Sequence, residues 1–78
     1  MDTAENLYHM IEVFKTNVQK TDDANTLIAL LLEQFPGSKI NFDLQDCDKI
    51  LRVEGRDFSN DKVMTLLFKR GFHCEILE

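Results

Sequence analysis

The sequence predicts an α+β domain in which two helices cover one face of a four-stranded antiparallel sheet. The chain has 78 residues, a length typical of one domain. Its apolar residues follow strand-type and helix-type spacings in the order strand, helix, strand, strand, helix, strand. Hydrophobic residues make up 44% of the composition and charged residues 29%, which is typical of a folded chain.

The first element is a strand predicted over Tyr8–Val18, preceded by a flexible N-terminal arm at residues 1–7. The segment is rich in β-branched and aromatic residues and lacks Gly and Pro, which favours a strand. Its buried face stays open, because Ile11 and Val13 fit one face and Phe14 fits the other.

A helix is predicted to begin at Thr21 and to end before Pro36. Thr21, Asp22 and Asp23 are residue types that accept the unpaired amide protons of a first helical turn, and carboxylates suit its positive dipole end. The apolar residues behind this start recur at helical spacing: Ala24, Leu27, Ile28, Leu31 and Phe35.

Two short strands of a predicted hairpin follow. Apolar and polar residues alternate over residues 40–44 and again over residues 51–54, which is typical of half-buried strands. The polar residues 45–48 between them form a tight turn.

A second helix and a last strand complete the pattern. Ser59 is a favoured N-cap residue, and Gly71 is expected in the left-handed conformation that ends many helices. The last strand is predicted over Phe72–Leu77. The helix is expected to bury one stripe: Val63, Leu66, Leu67 and Arg70.

This element order predicts a ferredoxin-like βαββαβ sandwich as a single domain at residues 8–78. Two right-handed crossovers place both helices on the same face of the sheet. The common strand order for this element string is 4-1-3-2, with all neighbouring strands antiparallel.

The net charge of −5 argues against nucleic acid and an anionic membrane surface as partners, since both attract basic proteins. No apolar run approaches the ~20 residues that span a bilayer. Residues 2–6 are polar and acidic, unlike a secretory signal. We therefore expect a cytoplasmic protein, with Cys47 and Cys74 reduced.

The layout resembles the heavy-metal-associated domain, the copper-chaperone-like module also found at the N-termini of metal-transporting ATPases. The resemblance covers residues 8–78 and is carried by the strand run Ile-Glu-Val-Phe-Lys-Thr-Asn-Val at residues 11–18, the helix directly after it, and an ending with Val63, Leu67 and Gly71-Phe72. Metal-carrying members of that family have Gly-Met-x-Cys-x-x-Cys between the first strand and the first helix.

Lys20 and Asp23 stand where the resemblance places the two cysteines of that motif. Soft ions such as Cu(I) require thiolates, and a protonated lysine has no lone pair to donate. The resemblance therefore implies a scaffold without its metal loop, and no cofactor is expected there.

A replacement metal site at Cys47, His73 and Cys74 is the alternative, because these residues lie at the end of the fold where the family's metal loop would be. Strands two and four are opposite edges, roughly 14 Å apart at about 4.8 Å per strand. His73 and Cys74 are adjacent in a strand and point to opposite faces. A site shared between two chains stays open.

We do not expect an enzyme. The chain offers no nucleophile with a nearby base and an orienting group, and its three glycines are scattered at 37, 55 and 71 rather than gathered in a phosphate loop.

Apolar residues beyond the core stripes instead favour association with a second copy or another protein partner, at an interface that includes Phe14, Met64 and Phe68. The leading prediction is a non-catalytic interaction module. A metal-binding protein is second, and a small regulatory ligand-binding domain is third.

Overall fold

The computed structural model describes residues 9–78, so the predicted N-terminal arm and Tyr8 lie outside the described residues. The elements follow the predicted order. They are β1 (Met10–Thr16), α1 (Thr21–Gln34), β2 (Lys39–Asp43), β3 (Ile50–Gly55), α2 (Asn60–Lys69) and β4 (Cys74–Ile76).

The four strands form one antiparallel sheet in the order β2-β3-β1-β4, which is the predicted order 4-1-3-2 read from the other edge. The register pairs Phe14 of β1 with Leu51 on one side and Ile76 on the other. Phe42 pairs with Leu51 from the far side of β3. These four side chains therefore form a row across the same face, and the predicted ferredoxin-like class is confirmed.

Phe14 lies at the centre of the core, with no exposed surface. Its predicted place at an interface is therefore wrong. Pairing with Leu51 directs Phe14 towards the helices, while Ile11 points outward and is 51% exposed. The rest of the core comes from both helices, β3 and the connecting loops: Val18, Ala24, Leu27, Leu31, Phe35, Leu51, Val53, Phe58, Val63 and Leu67.

The start of α1 differs from the expected cap. The N-cap residue is Lys20, which makes no side-chain hydrogen bond to the first turn, and Thr21 is already helical. Asp22 and Asp23 do lie in the first turn, where they suit the positive end of the helix dipole. The α1 start thus depends on charge rather than on a capping hydroxyl.

The end of α2 is closed by its own backbone. Gly71 has φ +91°, the left-handed conformation predicted for it. Its N–H donates to the Phe68 carbonyl at 2.9 Å, and the Phe72 N–H donates to the Leu67 carbonyl at 2.9 Å. This pair of bonds is a Schellman motif. Arg70, expected on the buried stripe, is exposed because it is the last residue before this turn.

Two strands are shorter than predicted. β1 stops at Thr16 because the Val18 N–H turns back to the Thr16 hydroxyl, at 3.2 Å, instead of extending the sheet. β4 begins at Cys74 rather than Phe72, since the Phe72 N–H is held by the end of α2. The short β4 leaves a small and accessible sheet edge.

Candidate functional site

One end of the sheet gathers the three segments that were expected there. The Thr16 N–H donates to the Asp48 carbonyl at 3.0 Å, and the Thr16 hydroxyl donates to the Lys49 carbonyl at 2.6 Å. The Asn17 side-chain oxygen accepts from the His73 N–H at 2.8 Å. The β1–α1 loop, the β2–β3 turn and the start of β4 therefore meet at this end.

The metal-ligating side chains that the β1–α1 loop and the start of α1 offer are carboxylates, which are hard ligands. Lys20 is exposed and Asp23 is half-buried in the first turn of α1. Residues 16–26 contain no Cys, His or Met, so this loop supplies no thiolate, imidazole or thioether. Carboxylates alone suit hard cations rather than Cu(I).

Cys74 and His73 point to opposite faces of β4, as predicted. Cys74 packs against the core, and burial, helped by the nearby Glu75 carboxylate, raises the pKa of its thiol to about 12. His73 is exposed, and its Nε2 lies 3.2 Å from Glu75 Oε2 on the outer face. A protonated, core-facing thiol is a poor metal ligand, because the thiolate is the ligating form.

Cys47 belongs to a different cluster from the predicted one. Within residues 9–78, the only group of three or more His, Cys, Asp or Glu side chains close enough to share an ion is Asp46, Cys47 and Asp48. Their ligand atoms lie within 4.8 Å of one another. This arrangement was not predicted, since Cys47 was grouped with His73 and Cys74. The sequence feature that indicates this cluster is the run Asp-Cys-Asp in a tight turn.

The two histidines of the described segment pair with carboxylates. His9 Nε2 lies 3.0 Å from Glu54 Oε2, and His73 pairs with Glu75. Each pair is solvent-accessible on the sheet surface, and neither includes a thiol or hydroxyl. These pairs are hydrogen-bonded contacts at the surface, and they do not assemble a nucleophile with its base.

The most distinctive surface lies between α2 and β4. Phe68 projects from α2 with 77% of its surface exposed, although it is a large aromatic residue. Beside it runs a groove of about 510 Å³. We call this the α2–β4 groove, and its lining consists of Asp61, Met64, Thr65, Phe68, Phe72, His73 and Cys74.

Beside this groove, β4 forms the edge of the sheet. It pairs with β1, and none of the described strands pairs with its other side. The N–H groups of His73 and Leu77 are bonded on the β1 side, to Asn17 Oδ1 and to the Val13 carbonyl. Hydrogen-bonding directions alternate from one residue to the next along an antiparallel strand. The backbone N–H and C=O groups of Cys74 and Ile76 therefore point away from β1.

A second groove, of about 450 Å³, runs between the two helices. Leu30 and Leu66 contribute apolar surface there, and Lys62, Lys69 and Arg70 bring cations. The positive charges of α2 are thus gathered on the side facing α1, so they do not line the α2–β4 groove.

Apolar and charged side chains are interspersed on the outer sheet face. Ile11 and Leu77 are exposed there, at 51% and 38%. Charged residues interrupt them, including the pair of Arg52 Nη1 and Glu54 Oε1 at 3.1 Å. The most exposed large apolar side chain of the described residues, Phe68, is therefore on α2 rather than on this face.

No protein-family model, curated protein or solved structure matches the chain. Neither of the two helices described in residues 9–78 has the combination of length and apolar character that a bilayer crossing requires.

Proposed function

We propose that this chain is a non-catalytic interaction module, similar to the heavy-metal-associated domain in layout but without its thiolate pair, and that it acts in the cytoplasm by binding another polypeptide. The observation that carries the proposal is Phe68, which is 77% exposed beside the α2–β4 groove. An aromatic side chain in this setting is typical of a binding surface.

The area involved is large enough to matter. An aromatic side chain offers about 200 Å², so covering the exposed part of Phe68 removes roughly 150 Å² from water and stabilises a complex by up to about 4 kcal/mol. Met64 and Phe72, both half-buried beside it, extend the apolar surface. Aromatic side chains flanked by such residues are frequent centres of binding energy.

Equilibrium sedimentation, together with selection of binders from a random-peptide display library, tests the proposal. Phe68→Ser is expected to abolish association, with a second copy or with a selected peptide, because it removes the central apolar contact. Leu32→Ser is the matched control, since Leu32 is 38% exposed on α1, away from this surface. A chain that stays monomeric and selects nothing, or a Phe68→Ser variant that associates like the parent, contradicts the proposal.

Metal binding is the second candidate, supported by the proximity of Asp46, Cys47 and Asp48. Native mass spectrometry with Zn(II) and with Cu(I) tests it. Stoichiometric metal that survives mild chelation and is lost in Cys47→Ser favours this candidate. Loss in Cys74→Ser instead favours a site that includes Cys74 or His73 across two chains, and no retained metal in the parent chain eliminates both.

A further inference from the structure

We infer that the free edge of β4 accepts an extended segment of a different polypeptide as a fifth strand, and that this segment alternates apolar and basic residues. The inference rests on the proposed interaction function and specifies its partner. The apolar side chains of the bound segment lie in the α2–β4 groove, against Phe68 and Met64.

The backbone supplies the first part of the argument. Cys74 and Ile76 direct their N–H and C=O groups away from β1, and no described strand pairs with them. An added antiparallel or parallel strand bonds to such groups without disturbing the existing ladder. Unpaired edges are commonly protected by a bulge, a proline or a covering loop. Within the described residues β4 contains no proline, although its length of three residues makes the edge short.

The side chains supply the second part. Cys74 and Ile76 share a face with Phe14 and point towards the helix layer, under α2. Ile76 is still 37% exposed, so its outer flank lacks a neighbour. Because side chains alternate along a strand, every second residue of an added strand projects to the helix side of the sheet, beside Ile76. Those positions favour apolar side chains.

Charge decides the remaining positions. The alternate residues of an added strand lie on the outer face, beside the exposed carboxylate of Glu75, whereas Asp61 lies on the helix side, in the α2–β4 groove. The groove is lined by no Lys or Arg. A segment with lysine or arginine at its alternate residues therefore complements this flank, and the net charge of −5 assists its approach.

The same charges disfavour a second copy at this edge. An antiparallel pairing of β4 with itself, centred on Glu75, places two carboxylates directly opposite each other, which is destabilising. Any other register still joins two chains that each carry a net charge of −5. A basic segment of another protein lacks this penalty.

The test uses random peptides displayed on phage and selected against the immobilised full chain. We expect the enriched peptides to alternate apolar residues with Lys or Arg. A synthetic peptide of the most enriched sequence should shift the amide NMR signals of residues 74–77 and of Phe68. Binding should weaken at least tenfold in Phe68→Ala.

Ile76→Pro tests the backbone contact, since proline removes the outward N–H without breaking a bond to β1. It should weaken binding at least tenfold relative to Ile76→Ala, which keeps that N–H, while circular dichroism confirms that both variants are folded. If Ile76→Pro is unfolded, a peptide methylated at alternate backbone nitrogens is used instead. It should bind the parent chain at least tenfold more weakly than the unmethylated peptide. Three outcomes would overturn the inference while leaving the interaction function standing. They are enrichment of acidic peptides, NMR shifts confined to the inter-helix groove or the outer sheet face, and self-association through β4. A library that enriches no peptide overturns it as well.

Discussion

Thr16→Val is expected to destabilise the fold by about 1–5 kcal/mol, because the Thr16 hydroxyl joins the end of β1 to the β2–β3 turn. The hydroxyl donates to the Lys49 carbonyl at 2.6 Å and accepts from the Val18 N–H at 3.2 Å. Thr16 is only 5% exposed, so water does not readily replace either bond. Valine matches the shape of threonine and leaves both backbone groups unpaired.

The magnitude follows from those two groups. Each buried group left without a partner costs about 1–3 kcal/mol, and the added methyl group of valine returns about 0.8 kcal/mol. A chain of this length is stable by roughly 4–12 kcal/mol, so the loss is a large share of the total. Lys49 also has φ +47°, a conformation uncommon for a side-chain-bearing residue, which the Thr16 contact helps to hold.

Urea denaturation followed by far-UV circular dichroism measures this effect as a lower midpoint at an unchanged slope. Thr16→Ser is the matched control, because it keeps the hydroxyl and loses one methyl group, at about 1 kcal/mol. If Thr16→Val were as stable as the parent chain, or no less stable than Thr16→Ser, the assigned role of the hydroxyl would be refuted.

Three further predictions concern packing and protonation. In Gly55→Ala the new Cβ lies 2.7 Å from the Ser38 hydroxyl oxygen and 3.3 Å from its Cα, so we expect a loss of about 1–3 kcal/mol by thermal denaturation, partly restored by Ser38→Gly. Cys74, with its pKa raised by burial from 9.0 to about 12, should react slowly with iodoacetamide at pH 8 in the folded chain and rapidly in urea. Because the unfolded thiol ionises first, stability should fall as the pH rises above about 9, and a flat profile in Cys74→Ala is the control. The hydrogen bond from His9 is the largest cause that lowers the pKa of the Glu54 carboxyl, so the stability that this contact contributes is lost as the pH falls through the folded-state pKa. His9→Ala should raise the Glu54 pKa towards 4.5 in an NMR titration. An unchanged Glu54 pKa would contradict the contact.

The element order could be predicted because its signals are local. Pro36 and Gly71 mark helix ends through their own backbone restrictions, and the alternation at residues 40–44 needs no partner to be recognised. The strand order was predicted as the common one for this element string, and right-handed crossovers placed both helices on one face. These are properties that a single sequence carries.

The facing of β1 could not be predicted, because apolar residues occupy both of its phases. Ile11 and Val13 alternate against Phe14, and only the register with β3 places Phe14 inside. Lys20 at the N-cap was missed because the acidic residues of the first turn, Asp22 and Asp23, favour a start one residue earlier than a Thr21 cap would give.

The candidate surface was partly predictable. Phe68 lies off the core stripe of α2, so its exposure followed from helical spacing. Met64 lies at its margin and is half-buried. The open edge of β4 depends on which strand ends the sheet and how soon it ends, and the Schellman turn at Gly71 uses the amide that would have lengthened it. That competition for one N–H group is not visible in residue spacing.

The position of β1 at the centre of the sheet has a consequence for folding kinetics. Phe14 pairs with Leu51 and Ile76, so both neighbours of β1 come from much later in the chain. Closing such long loops costs entropy before any contact repays it, which slows folding relative to helical proteins of similar size. During synthesis β1 can pair only after β3 has been made, and the other edge of β1 is covered only when β4 has left the ribosome. β4 is therefore the last strand available to join the sheet.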